Sequence, residues 1–206
     1  MAAWCLMILW TTTTTTTWKE LNRRGVLVTN PKHSEVYKHS KSAYQWMAGQ
    51  MESRIGPPPR NGILPFWAWH RWDGEHRPKP DLRSGGHLPP GEKGVRIEFD
   101  KDPQEVLLSD FVLWHHVLNY WYLPKSKRDG DRFEKEIEKK GLSFFKTKPL
   151  TDERYHNRIE KSWERIFDLD WENSWVTGPK SEKAIQATFG RLHPSEVRRI
   201  KEFTAR

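Results

Sequence analysis

The chain carries one cysteine, Cys5, in 206 residues. A lone thiol excludes an intramolecular disulfide framework and a cysteine-based zinc site, and it fits a reducing compartment. Several catalytic signatures are also missing: there is no GxxxxGK[ST] phosphate loop, no GxGxxG behind a strand, no HExxH and no GxSxG. The nine histidines are scattered. Their nearest sets, His70 with His76 and the adjacent pair His115–His116, lack ligand spacing, because neighbouring helical residues point to different sides. No metal is expected. No apolar run approaches the roughly 20 residues that a membrane span needs. The opening MAAWCLMILW is short and has no basic flank, so it reads as neither signal peptide nor span. Residues 1–7 read as an N-terminal extension, and the expected location is cytoplasmic.

Charge and indole are what the sequence has in plenty. Thirty-five Lys+Arg against 27 Asp+Glu give a formal charge of +8 and a pI near 9.6. That excess favours a polyanionic partner through counterion release. Twelve tryptophans suit an aromatic-rich core, or a pocket that stacks a flat ligand.

Seven consecutive threonines follow Ile8–Leu9–Trp10. Their β-branching favours extended backbone, so the run reads as a strand, followed by a short amphipathic helix from Trp18 that glycine stops at Gly25. Apolar residues from Val36 to Ile55 recur at helical spacing, and Gly56-Pro57-Pro58-Pro59 ends that helix. Residues 63–74 read as an aromatic strand closing in an Asp-Gly turn, and 75–94 as a long exposed loop. GVRIEFD (94–100) and EVLLSDF (105–111) read as strands. Asp110 is placed to cap a helix whose buried face holds Phe111, Trp114, Val117, Leu118 and Trp121. Further helices are expected near 131–140 and 152–167, the latter burying Tyr155, Ile159 and Trp163, with a strand over 183–192 and a basic C-terminal segment. The fold class is α+β: a single compact domain over 8–206, with a central, mostly antiparallel sheet, continuous or split, flanked by helices.

Three constellations carry candidate chemistry. In FWAWHRW (66–72), alternation puts Phe66, Ala68, His70 and Trp72 on one face and Trp67, Trp69 and Arg71 on the other. These residues serve either a buried central strand or a wall for a base or nicotinamide ring. In the loop from 77 to 94, Arg83 stands before Ser84-Gly85-Gly86, a fork of donors beside backbone that can approach a phosphate. The alternative is an ordinary solvated loop. Glu105 heads the third constellation, at the start of an apolar strand, where a carboxylate points into a cleft or simply into solvent.

The blocks LWTT, AYQWM with RIGPPP, FWAWHRW, PDLR, EVLLSDF, SWERIFDLDW and IQATF together resemble a bacterial and phage family known as a domain of unknown function. The resemblance runs from Leu9 to Phe203. The opening strand and helix also resemble ADP-ribosyltransferase-like folds, including toxins that modify DNA bases. That likeness implies NAD bound in a split-sheet cleft. In those enzymes a His or Arg sits on the first strand, an aromatic or Ser on a middle strand and a Glu on a late strand. The first position falls here on Thr11, which departs from the pattern. The likeness implies nicotinamide against Trp67 or Trp69, pyrophosphate on Arg83 and Glu105 as the catalytic carboxylate, with the strand around Gln186 as the other place for that role. The implied reaction is NAD-dependent transfer to DNA or RNA, in a toxin or phage-defence setting. The alternatives are a nucleic-acid-binding module without catalysis, and a protein-interaction partner in a toxin–antitoxin pair.

Overall fold

The computed structural model describes residues 6–29, 39–58 and 63–206. The start of the helix expected from Val36, and Pro59 of its stop signal, lie outside the described residues. The architecture is α+β. Six strands form a sheet: β1 (Met7–Thr14), β2 (Phe66–Arg71), β3 (Lys93–Lys101), β4 (Leu107–Asp110), β5 (Ile185–Phe189) and β6 (Val197–Thr204), in the order β4-β5-β2-β1-β3-β6. The pairings of β1 with β2 and β3, of β2 with β5 and of β3 with β6 are antiparallel. The chain gathers into two compact units, one built from residues 1–108 with 184–206 and the other from 109–183.

The threonine run does two jobs in the first unit. Thr11 to Thr14 complete β1, while Thr15 to Thr17 open helix α1 (Thr15–Arg24), where β-branching alone predicts extended backbone. The reason lies at Thr14, whose hydroxyl accepts from the Thr17 amide at 3.1 Å and caps the helix. β-branching is a weak preference that a satisfied cap overrides. Gly25, at φ 71°, closes the helix by donating to Leu21 O at 2.9 Å, a backbone state that glycine adopts without strain. Helix α2 (Lys41–Ile55) buries Ala43, Met47 and Met51. The core of this unit joins Leu9, Leu21, Ala68, Ile97, Phe99 and Phe189. Strand β6 falls where the sequence showed only a basic segment. It lies at a sheet edge with Arg198, Arg199 and Lys201 exposed, so one face of alternating apolar residues never appears.

The second unit contains helices α3 (Phe111–Leu118), α4 (Lys127–Lys139) and α5 (Glu153–Trp163) among its described residues. Asp110 caps α3 as expected, accepting from the Val112 and Leu113 amides at 2.9 and 3.2 Å. Its other oxygen takes the Thr177 hydroxyl at 2.7 Å and lies 3.4 Å from Lys183 Nζ. Trp121 departs from its expected place on the buried face. Tyr120 adopts φ 60° and turns the chain, leaving Trp121 39% exposed while Leu113 fills the interior. Tyr155, Ile159 and Trp163 are buried along α5, as their spacing predicts, and Trp163 Nε1 donates to Trp121 O at 2.7 Å.

Candidate functional site

The sheet of the first unit is strongly paired except along one seam. Strand β3 follows β1 from Met7–Lys101 to Thr14–Gly94, and β5 follows β2 from Phe66–Phe189 to Arg71–Ile185. Between β1 and β2 the only registered pair is Trp10–Trp69. The six strands are thus two three-stranded halves with a single registered pair between them. A row of side chains crosses the seam there, because directly paired residues share a face. It runs Gln186, Trp69, Trp10, Glu98, Arg199.

Chemistry along this row is concentrated. Trp10 Nε1 donates to Glu98 Oε2 at 3.1 Å, which fixes the carboxylate beside the seam. Gln186 Oε1 is buried with no hydrogen-bond partner in the structure, an acceptor whose desolvation is uncompensated. The Trp69 ring meets Trp72 edge to face at 4.6 Å. The Trp72 ring lies 5.0 Å from His87, which in turn lies 5.9 Å from Phe203. Arg96, one step along β3 on the same face as Glu98, donates from Nη1 to Pro80 O at 2.7 Å. These contacts hold the loop between Trp72 and Glu92 against the sheet. Gly94 makes the approach possible, since a Cβ there would lie 2.6 Å from both Leu88 and Phe203 side-chain atoms.

The five residues singled out from sequence are not gathered in one place. Trp69 is in the row. Trp67 shares its face of β2, two residues before it, and its ring meets Tyr44 of α2 at 5.8 Å. Thr11 points to the other face, with Leu9, because strand neighbours alternate, and it is 7% exposed. Its hydroxyl donates to Trp67 O at 3.2 Å, a structural bond across the seam. Arg83 stands on the exposed loop with its guanidinium forked onto Asp81 at 2.7 to 3.1 Å. That fork holds the Asp81 carboxyl far below its ordinary range.

Glu105 sits in a 3-10 turn (Pro103–Glu105) ahead of β4 and not on the strand itself. It lines a cavity of about 700 Å³ with Ile55, Pro57, Leu64, Lys101 and Arg191. Lys101 Nζ, almost wholly buried, donates to Glu105 at 2.9 Å and Glu196 at 2.8 Å. The Lys101 hydrogen bond draws the Glu105 carboxyl below its usual value, partly against the effect of burial. Glu105 therefore serves an ion triad that anchors the end of β3.

Glu98 and Trp10 belong to no motif in the sequence, although strand alternation marks their face. Alternation in GVRIEFD places Arg96, Glu98 and Asp100 opposite Val95, Ile97 and Phe99, and Trp10 opposite Leu9. What alternation cannot supply is which strand neighbours which. Among the described residues no group of three or more His, Cys, Asp or Glu is placed to hold a metal ion, and no helix is long and apolar enough to cross a membrane.

Neither a curated protein nor a solved structure matches the chain. A family model described as Domain of unknown function (DUF3841) matches residues 8–198. The protein belongs to that family, over nearly its whole length.

Proposed function

We propose that the first unit binds a dinucleotide of the NAD type across the seam between β1 and β2 and acts as an ADP-ribosyltransferase-like enzyme on a nucleic-acid acceptor. The observation that carries this reading is the weakly registered seam of the sheet, paired at Trp10–Trp69, with an aromatic and a carboxylate in the row that crosses it. In this reading Trp69 supplies a ring face for the nicotinamide or adenine. Glu98, oriented by Trp10, stabilises positive charge that develops at the ribose as the bond from C1′ to the nicotinamide nitrogen breaks. The bonding pair leaves with nicotinamide, and an acceptor nucleophile closes on C1′. The first unit carries 20 Lys+Arg against 13 Asp+Glu, which suits a phosphate-rich acceptor.

One observation favours a second reading, ligand binding without turnover. The late strand offers the amide of Gln186 in the row, and an amide cannot stabilise a cation as a carboxylate does.

The test pairs calorimetry with product analysis. NAD is expected to raise the melting temperature of the intact chain, and nicotinamide to appear when DNA or RNA is supplied. Glu98→Gln should abolish release while keeping the NAD-induced shift, because the missing interaction belongs to the transition state. Trp69→Ala should remove the shift. Stabilisation by NAD with no nicotinamide from any acceptor selects the second reading, and no shift at all ends both.

A further inference from the structure

The second unit holds a cavity of about 560 Å³ that the proposed chemistry does not use. We infer that it is a binding site for an organic cation, of the class of a methylated ammonium or a guanidinium side chain.

The first observation is where the exposed rings are. Phe145 is 79% exposed, Trp175 53% and Trp121 39%, and all three line this one cavity with the buried Phe133 and Phe144. Exposed large aromatics scattered singly need no explanation, but a cluster around a concavity does.

The second observation is that Trp175 is held in place. It stands in a turn closed at both ends: Asn173 N donates to Thr177 O at 3.1 Å, and the Thr177 amide returns to Asn173 O at 2.9 Å. Asn173 Oδ1 accepts from the Trp175 amide at 3.0 Å, and its Nδ2 donates to Lys125 O at 2.7 Å. Thr177 is tied in turn to the buried Asp110. The edge of the indole reaches Gly130, where an added Cβ would lie 3.5 Å from its Cη2 atom. An exposed ring on a pinned turn is preorganised for a ligand.

The third observation is charge. The lining includes the carboxylates of Asp131 and Glu134 and no Lys or Arg, although the unit as a whole has 15 Lys+Arg. Open ring faces beside carboxylates are the composition that recognises organic cations. The Phe133 face is already taken by the Arg158 guanidinium, 5.0 Å from the ring centroid. The rings offered to a ligand are those of Trp121, Phe145 and Trp175. His116, also in the lining, presents no opposing charge, since burial lowers its pKa. A phosphate or carboxylate ligand is disfavoured by the same two acids.

The test compares choline with 3,3-dimethylbutan-1-ol, which has the same shape and no charge, titrated into the full chain and followed by the indole N–H signal of Trp175. Choline should bind saturably and at least about fivefold more tightly than the neutral alcohol, as expected from roughly 1 kcal/mol of cation–π attraction. Trp175→Ala should weaken choline by a similar factor, and the double variant Asp131→Asn with Glu134→Gln should weaken choline further while leaving the alcohol unchanged. Equal binding of the two probes, or choline binding that survives both variants, would overturn the proposal. So would the absence of saturation by either probe in an unsubstituted chain whose unfolding transition is intact.

Discussion

The two units solve the same problem of a basic, tryptophan-rich chain in different ways. The first spreads its polar side chains across a sheet and holds most of the charge, 20 Lys+Arg against 13 Asp+Glu; the second is nearly balanced at 15 against 14. Both units pair some of their own cations, as Arg158 with Glu136 and Lys180 with Asp170 in the second and Arg71 with Glu75 and Lys101 with Glu196 in the first. The first unit therefore carries +7 of the formal +8, and the proposed polyanion would be drawn to that unit. The balanced unit exposes aromatic rings instead. Net charge read over the whole chain conceals this division of labour.

The sharpest way to break the comparison is to empty each core in turn. Phe99→Ala in the sheet and Trp163→Ala on α5 remove side chains that are 0% and 2% exposed, and each should cost about 3–5 kcal/mol through the cavity left behind. Hydrogen exchange would show where the destabilisation is felt. If the units are separate cooperative bodies, Trp163→Ala lowers protection in 109–183 and leaves β1 and β3 protected. A uniform fall in protection throughout the chain would show one cooperative body.

How far the fold was legible depends on what each element needed. Helices α3 and α5 declared themselves because Asp110 caps one and Tyr155, Ile159 and Trp163 form the buried stripe of the other. Strand β3 showed a clean alternation. Strand β6 did not, because an edge strand with Arg198, Arg199 and Lys201 exposed carries no apolar face to read. The site was harder. Trp69 was legible as an aromatic on a central strand, but Glu98 gains its meaning only from pairing with Trp10, 88 residues away in sequence. Glu105 reads in sequence as a carboxylate before an apolar run, and only the fold brings Lys101 Nζ within 2.9 Å of it.

An intermediate effect is expected at that triad. Lys101→Met removes the cation between Glu105 and Glu196 and should cost about 2 kcal/mol, below the 3–5 typical of a broken buried pair, since Glu105 is half exposed. The pH sign follows from the Glu105 carboxyl, which the folded state holds below its ordinary value. Its contribution is full above the ordinary carboxylate range and is lost as pH falls through the folded value. The gap between Lys101→Met and the parent in urea unfolding should therefore narrow in acid. Glu105→Gln should lower stability and leave nicotinamide release unchanged; loss of release would return Glu105 to the chemistry.

Smaller still is the effect of reversing charge on the edge strand. Arg199→Glu with Lys201→Glu should weaken nucleic-acid binding about tenfold or more at low salt. It should also flatten the salt dependence by roughly one unit for each phosphate left without its cation. The same double reversal at Lys139 and Lys140, in the balanced unit, should change affinity little. Equal weakening from both pairs would mean that the polyanion does not distinguish the units.

The smallest effect provides one probe in each unit. His70 in β2 and His116 in α3 both have a buried Nδ1 without a well-formed hydrogen bond. Burial lowers both pKa values; Arg71 adds to the effect at His70, while the Leu113 carbonyl works against it at His116. The unfolded chain takes up these protons as pH falls through about 6.5, and the folded chain only below that. Stability is therefore full above roughly 6.5 and declines as pH drops towards the folded values. Both rings remain partly open to solvent, which keeps the change modest. Asparagine at either position should flatten the slope of unfolding free energy against pH between about 5 and 7, His70→Asn through the sheet and His116→Asn through the helices. NMR titration decides between the units directly: a ring that titrates at the ordinary value is not buried as described. If only His116 is depressed, the aromatic cavity around it is the drier of the two environments, and the seam at Trp69 is open to water.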